Sequence, residues 1–413
     1  MEHYLTQIEI NKLRHLSNIT INLHDNERKH LLITGKNGSG KTTVLLEIRK
    51  YLKAISDGNL KKLKVDYKEY LLNAEKALKN VKSDGEKFEK QKNFELWSNE
   101  VKKYSDGMEL HFNKYEDLDM AYKEGNFIIS YFPADRKTKI VRPKGVENVK
   151  LQEFYPLDAE PGTILLKYMV HLKTQQSYAR NEENFKDVER IQKWFDRFEN
   201  ALKVLFDDKN IKLEYNYKEY EFRIIEQGKE PFGFDQLSDG YSSLIHIISD
   251  LILRMDKNWI LKEELSVYNA EGIVLIDELE THLHIELQKK ILPFLTKFFP
   301  RIQFIVTTHS PYILNSVSNA KAYDLEKQME LENLSVYSSE DLAEAYFDAD
   351  KYSDELKMKL KRYEELVKKE DISEEERVLR AELRFELSNL SKEMTNEINM
   401  VFNDIEMRRM LHG

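Results

Sequence analysis

Two spacings of apolar residues alternate along this chain. Short apolar runs at 31–33 and 272–276, and the mostly apolar stretches 126–132 and 302–306, have the length and composition of strands, buried ones at 272–276 and 302–306. Period-two alternation at 211–217 and 220–224 predicts a hairpin, and 107–132 returns to strand-like patterns, including 108–112. Helical spacing covers 43–48, 162–206 (with Trp194, Phe195 and Phe198 on one apolar face) and 244–253. Leu63, Tyr67, Tyr70, Leu71, Ala74, Leu78 and Val81 make another helical stripe. A second helical stretch, 88–104, follows the turn Ser83-Asp84-Gly85, so a helical hairpin is expected there. A short helix and a last strand are expected over 312–326. Beyond them, Leu383, Leu387, Leu390, Met394, Ile398, Val401 and Ile405 recur at three and four, as on one long amphipathic helix.

The junctions between these elements carry the chemistry. Gly35-Lys-Asn37-Gly38-Ser39-Gly40-Lys41-Thr42 joins the run 31–33 to the helix that starts near Thr43. A glycine-rich turn between strand and helix lets backbone N–H groups wrap an anion, and the helix dipole adds to them. Lys41 then supplies a charge for β- and γ-phosphates, and the Thr42 hydroxyl is a Mg²⁺ ligand candidate. The apolar run 272–276 ends in Asp277-Glu278, which puts two carboxylates where open α/β sheets bind ligands: Asp277 for Mg²⁺, Glu278 for the attacking water. The run 302–306 leads to Thr307-Thr308-His309-Ser310-Pro311, with His309 in reach of a γ-phosphate.

Leu237-Ser238-Asp239-Gly240-Tyr241, just before the helix at 244–253, resembles the signature motif of ABC-type ATPases, normally Leu-Ser-Gly-Gly-Gln. Asp239 and Tyr241 depart from that spelling. Together the four motifs resemble the ABC class over most of residues 1–325, closest to the soluble branch that includes RecF, SMC proteins and the OLD ATPases. The resemblance implies an α/β, ABC-type P-loop ATPase head with a mixed sheet, an inserted helical hairpin, a helical signature subdomain and a helical C-terminal tail. It implies bound ATP and Mg²⁺, and a head-to-tail homodimer in which Ser238 and Gly240 complete the partner's site. In that branch a basic residue in the first turn approaches the nucleotide, and Arg14 is the candidate. The glutamine that usually edges the site is not evident. Its place after 126–132 is taken by Pro133-Ala-Asp135-Arg136, where Asp135 is a metal or water contact candidate and Arg136 either meets phosphate or forms a loop ion pair. Asp277-Glu-Leu-Glu280-Thr-His282-Leu-His284 resembles the run of OLD-type and related defence ATPases, in which Glu280 lies in a loop communicating across the dimer. A metal site from Glu280, His282 and His284 is the alternative, disfavoured by the i, i+2 spacing of the histidines.

The expected organisation is 1–56 ATPase lobe with the P-loop, 57–106 helical insertion, 107–160 lobe continued, 161–255 signature subdomain, 256–326 lobe with carboxylates and His309, and 327–413 helical tail. With 413 residues there is length for a large core, and the absence of cysteine excludes disulfides, cysteine zinc sites and thiol catalysis. No signal pattern or apolar run of roughly 20 residues is visible, so a soluble, cytoplasmic protein without membrane association is expected. A net charge of −9 argues against a generally basic nucleic-acid surface, though DNA contact through the lysine-rich insertion is an open reading beside a solvated helix pair.

By resemblance, stand-alone ATPases of this build act in antiphage systems of the Septu, PARIS or retron type, restraining or licensing a nuclease or toxin partner. The rival readings are a RecF-like DNA-repair ATPase and an OLD-like nuclease. The latter needs Toprim acids, for which Asp348-Ala-Asp350 has only the spelling. The tail stripe either packs on its own ATPase domain or serves a second subunit or the effector.

Overall fold

The computed structural model describes residues 2–81, 84–136, 140–260, 268, 270–331, 334, 337–338, 341–342, 354–369, 371–393 and 402–409. The chain divides into two compact units, Met1–Ser339 and Glu340–Gly413.

The first unit is built on a six-stranded sheet. Its strands are β3 (His30–Thr34), β5 (Phe127–Phe132), β9 (Glu271–Ile276), β10 (Ile302–Thr307), β11 (Ala320–Asp324) and β12 (Met329–Leu331), ordered β12-β11-β3-β10-β9-β5. All neighbours are parallel except β11 and β12. Every residue of β3, β9 and β10 is buried, which explains why most of their positions are apolar; among the exceptions, Gln303 is hydrogen-bonded to Leu5 and Lys29. A second, antiparallel sheet has the order β2-β1-β4, from β1 (Leu5–Leu13), β2 (Leu16–Asn22) and β4 (Met108–Phe112). Helix α1 (Lys41–Ser56) packs Val44, Leu45, Ile48, Leu52 and Ile55 into one core with Ile8, Ile10, Ile19 and Ile21 from this sheet and Leu31, Ile33, Ile273 and Leu275 from the parallel one. The β3–α1 junction is thereby anchored on both sides.

The insertion forms a short π-helical segment, α2 (Lys68–Lys79) and α3 (Asp84–Lys102). Its root is tied down: Leu63 is buried, and Lys64 and Lys68 both bind Glu109 of β4. Tyr70 and Trp97 pair across the hairpin with centroids 4.6 Å apart. Lys64 and Lys68, two lysines of the insertion, therefore spend their charge within the chain.

Helix α4 (Leu118–Lys123) precedes β5. Helices α5 (Leu165–Asn181) and α6 (Phe185–Leu205) and the small sheet β6 (Lys212–Asn216), β7 (Glu221–Ile225), β8 (Phe232–Gly233) lead into α7 (Asp239–Ile260). Trp194, Phe195 and Phe198 are buried on α6, and Trp194 Nε1 donates to Asp256 of α7 at 3.0 Å. Helix α8 (Ile285–Phe298) and the single turn α9 (Pro311–Leu314) follow β9 and β10.

The chain does not turn helical at 327. Asp324 Oδ1 accepts the N–H groups of Glu326 and Lys327 at 2.8 and 3.1 Å, Gln328 takes a φ of 51°, and the chain returns as β12. The tail unit contains helices Asp354–Lys368 and Glu374–Glu393 and a helical stretch at 402–409. Leu383, Leu387 and Ile405 of the stripe pack with Leu356, Tyr363, Leu366 and Val367. The unit thus has a small core of its own, an arrangement neither sequence reading of the stripe contained. The side chains of Leu390, Met394, Ile398 and Val401, and the whole of Asp348-Ala-Asp350, lie outside the described residues. Among the described residues no helix is long and apolar enough to cross a membrane.

Candidate nucleotide-binding site

The loop after β3 takes three left-handed glycines, Gly35, Gly38 and Gly40, at φ 131°, 85° and 99°. Side chains rarely adopt these angles, so the pattern of glycines follows from the loop's curl. Helix α1 starts directly from Gly40 with no side-chain cap, leaving its first-turn N–H groups for an anion. Lys41 is buried and folds back, donating to the carbonyls of Gly35 at 2.9 Å and Lys36 at 3.2 Å. Burial lowers its pKa, opposed by the carboxylates of Glu278, Glu280, Asp277 and Asp324.

Opposite the loop, Asp277 is buried at the end of β9. Its Oδ1 accepts from Thr42 Oγ1 at 3.2 Å and from Thr307 Oγ1 at 2.5 Å. Three elements, α1, β9 and β10, so meet at one carboxylate oxygen. Hard oxygen donors from a threonine at a helix start and an aspartate at a strand end suit Mg²⁺. Glu278 follows with φ 45°, its N–H donating to Thr307 Oγ1 at 2.8 Å. Thr281 Oγ1 donates to the Glu278 carboxylate at 3.4 Å.

The His309 N–H donates to Glu280 Oε1, while the other Glu280 oxygen and His309 Nε2 are buried without a hydrogen-bond partner. Ser39 Oγ in the loop is in the same condition. Burial first, and then Lys41, lower the pKa of His309, against Glu280 and Glu278, so the ring is neutral at pH 7.

Sequence reasoning missed two residues here. Thr307 ends an apolar strand with a hydroxyl, a signal visible in 301–310 but not used. His15 donates from Nε2 to the Ser39 carbonyl at 3.1 Å, whereas Arg14 beside it is exposed at the β1–β2 turn with φ 53°. Asp135 is exposed in the turn after β5. Arg136 is turned inward. Its guanidinium is buried and donates to the carbonyls of Asp277 at 2.5 Å and Glu278 at 3.1 Å.

Ser238 is exposed at the start of α7, and Gly240 is buried against the 282–284 segment. A Cβ on Gly240 would stand 2.5 Å from the His282 carbonyl oxygen. Tyr241, the departure from glutamine, stacks on Phe206 with centroids 4.3 Å apart and meets His284 edge-on. His284 caps α8 by accepting the Leu287 N–H at 3.3 Å. Glu280 and His284 are thus engaged separately, and among the described residues no group of three acids or histidines is placed to hold a metal. A cavity of about 660 Å³ between α5 and α6, lined by Tyr168, His171, Tyr178 and Trp194, is separate from this site.

Residues 151–315 match the family described as "AAA domain, putative AbiEii toxin, Type IV TA system". That stretch holds residues 237–241, β9 and β10, and begins after the glycine-rich loop. The chain is 35% identical over 124 residues to the Septu protein PtuA of Bacillus mycoides, covering 30% of this chain and 16% of that protein. It is 30% identical over 157 residues to the retron Ec83 probable ATPase of Escherichia coli, covering 32% and 29%. With the retron Vc95 probable ATPase of Vibrio cholerae it shares 41% over 100 residues, covering 24% and 19%. Each match spans under a third of the relative's own length. The SMC head domain from Thermotoga maritima aligns over 78% of this chain and 94% of its own, at 12% identity and a TM-score of 0.35. With its mostly parallel sheet, P-loop, carboxylate pair and the segment 237–241, the chain resembles the ABC-class soluble ATPases of the Septu and retron kind.

Proposed function

We propose that this chain binds and hydrolyses MgATP at the edge of its parallel sheet, and that ATP drives two copies together head to tail. The observation that carries the reading is the link Thr42–Asp277–Thr307, which joins the P-loop helix to the ends of β9 and β10. In this reading the loop amides and the Lys41 ammonium hold the β- and γ-phosphates. Thr42 and Asp277 would hold Mg²⁺, which supplies charge neutralisation on the phosphates. Glu278 orients the attacking water and accepts its proton; the neutral His309 ring donates a hydrogen bond toward the γ-phosphate. Arg14 stays a candidate to approach the nucleotide, and Asp135 a candidate metal or water contact.

The exposed Ser238 and the N-terminus of α7 face outward, which suits completion of a second subunit's site. Binding then closes the dimer, and hydrolysis reopens it. Because the site residues are all of the ATPase kind, we assign the output to a partner, a nuclease or toxin controlled in antiphage defence. Light scattering with and without ATP tests the dimer: Glu278→Gln should trap it, and Ser238→Arg should prevent it while leaving nucleotide bound.

A further inference from the structure

The guanidinium of Arg136 is 5% exposed and spreads its donors over two elements. Nε donates to Ser243 Oγ at 2.8 Å, in the first turns of α7. Nη1 donates to the carbonyls of Asp277 at 2.5 Å and Pro133 at 3.0 Å, and Nη2 to those of Glu278 at 3.1 Å and Leu279 at 3.5 Å. Burying such a charge is costly, and a fork of five fixed donors is well matched to several carbonyls at once. Burial lowers its pKa to about 10, so it stays protonated at neutral pH, with Glu280, Asp277 and Glu278 nearby.

The carbonyls it holds flank Glu278, whose φ of 45° is a left-handed angle on a residue with a side chain. Such a conformation persists only where its surroundings fix it. Ser243, 1% exposed, lies five residues beyond Ser238 on the helix that begins at the signature. Two turns further along, Asp250 of α7 accepts from Ser130 of β5 at 3.0 Å and from Arg254 at 2.6 Å. The helix is therefore held to β5 along its middle, while its signature end meets the sheet through Arg136.

We propose that Arg136 is a positioning residue that couples the Glu278 turn of one nucleotide site to the signature helix that serves the other. The proposal rests on the head-to-tail ATPase reading. It makes ATP turnover cooperative, because occupancy behind Glu278 sets the pose of Ser238 toward the second ATP.

The test is steady-state ATP turnover over a range of ATP concentrations, with nucleotide affinity measured in parallel, for wild type, Arg136→Met, Arg136→Lys, Ser243→Ala and the double variant Arg136→Met/Ser243→Ala. Wild type should show a sigmoidal dependence. Arg136→Met should keep nucleotide affinity within roughly threefold, lose roughly tenfold in kcat and become hyperbolic. Arg136→Lys, with charge but no fork, should not restore sigmoidicity. Ser243→Ala should lower the Hill coefficient, and the double variant should be no worse than Arg136→Met alone. Variants as cooperative as wild type, or a double variant equal to the product of the singles, overturn the coupling. Hyperbolic wild-type turnover overturns the coupling but not the ATPase reading; absence of turnover overturns both. Should Arg136→Met fail to fold, Ser243→Ala decides alone, since an unchanged Hill coefficient there overturns the proposal.

Discussion

Thr307 Oγ1 donates to Asp277 Oδ1 at 2.5 Å and accepts the Glu278 N–H at 2.8 Å, so one hydroxyl from β10 fixes both carboxylate residues at the end of β9. Valine at 307 has nearly the same shape but offers neither bond. It would leave the part-buried Glu278 N–H and the buried Asp277 carboxylate each short of a partner, at a cost of about 1–3 kcal/mol. Thr307→Val should therefore reduce kcat by roughly tenfold and raise the Mg²⁺ concentration needed for half-maximal turnover, whereas Thr307→Ser should stay near wild type. A Mg²⁺ titration of ATP turnover checks this; an unchanged Mg²⁺ midpoint in Thr307→Val removes Thr307 from the site.

Gly240→Ala sets two effects against each other. Alanine in a helix gains about 1 kcal/mol over glycine. Here its Cβ would stand 2.5 Å from the His282 carbonyl oxygen, a backbone atom that no rotamer change moves aside. Overpacking of this kind costs about 1–3 kcal/mol, so the clash wins. Thermal melting should show a lower Tm, and turnover should fall further than nucleotide affinity, because the displaced turn leads the signature helix. A variant as stable as wild type would show that α7 and the 282 turn separate freely.

His30 gives stability a pH dependence of known sign. It is buried on β3, with Nδ1 accepting the Phe304 N–H at 3.1 Å. Burial, with Arg28 and Lys29 nearby, holds its pKa at about 4 against an ordinary 6.5. Between those values the unfolded chain binds more protons than the native one. Its contribution is thus fully present above pH 6.5 and is lost as pH falls toward 4, by about 3 kcal/mol in all. Urea unfolding of wild type and His30→Asn at pH 7 and pH 4.5 measures it: the variant should lose less stability on acidification. Equal losses would mean that other groups carry the acid dependence.

Legibility in the sequence followed whether the signal was local. The buried strands β3, β9 and β10 were readable because a strand covered on both faces is apolar at most of its positions, and the P-loop because its curl demands glycines at particular places. Asp277 and Thr42 followed from those elements. The partners of Arg136 were not legible, because Ser243 and the Asp277 and Glu278 carbonyls lie more than a hundred residues away. His15 was passed over for Arg14 because nothing local says which of two neighbours in a turn faces Ser39. In the tail, the helical stripe was legible but its partner was not: periodicity states that a face is buried and is silent on what covers it.

The central claim is that Lys41 binds nucleotide and Glu278 turns it over at one site. Nucleotide affinity and ATP hydrolysis by purified wild type, Lys41→Ala and Glu278→Gln test it together. Wild type should bind and hydrolyse ATP in the presence of Mg²⁺, and Lys41→Ala should bind none. Glu278→Gln should bind as wild type does while its turnover falls by ~10²-fold or more. Wild-type ATP affinity in Lys41→Ala, or a normal hydrolysis rate in Glu278→Gln, would contradict the account.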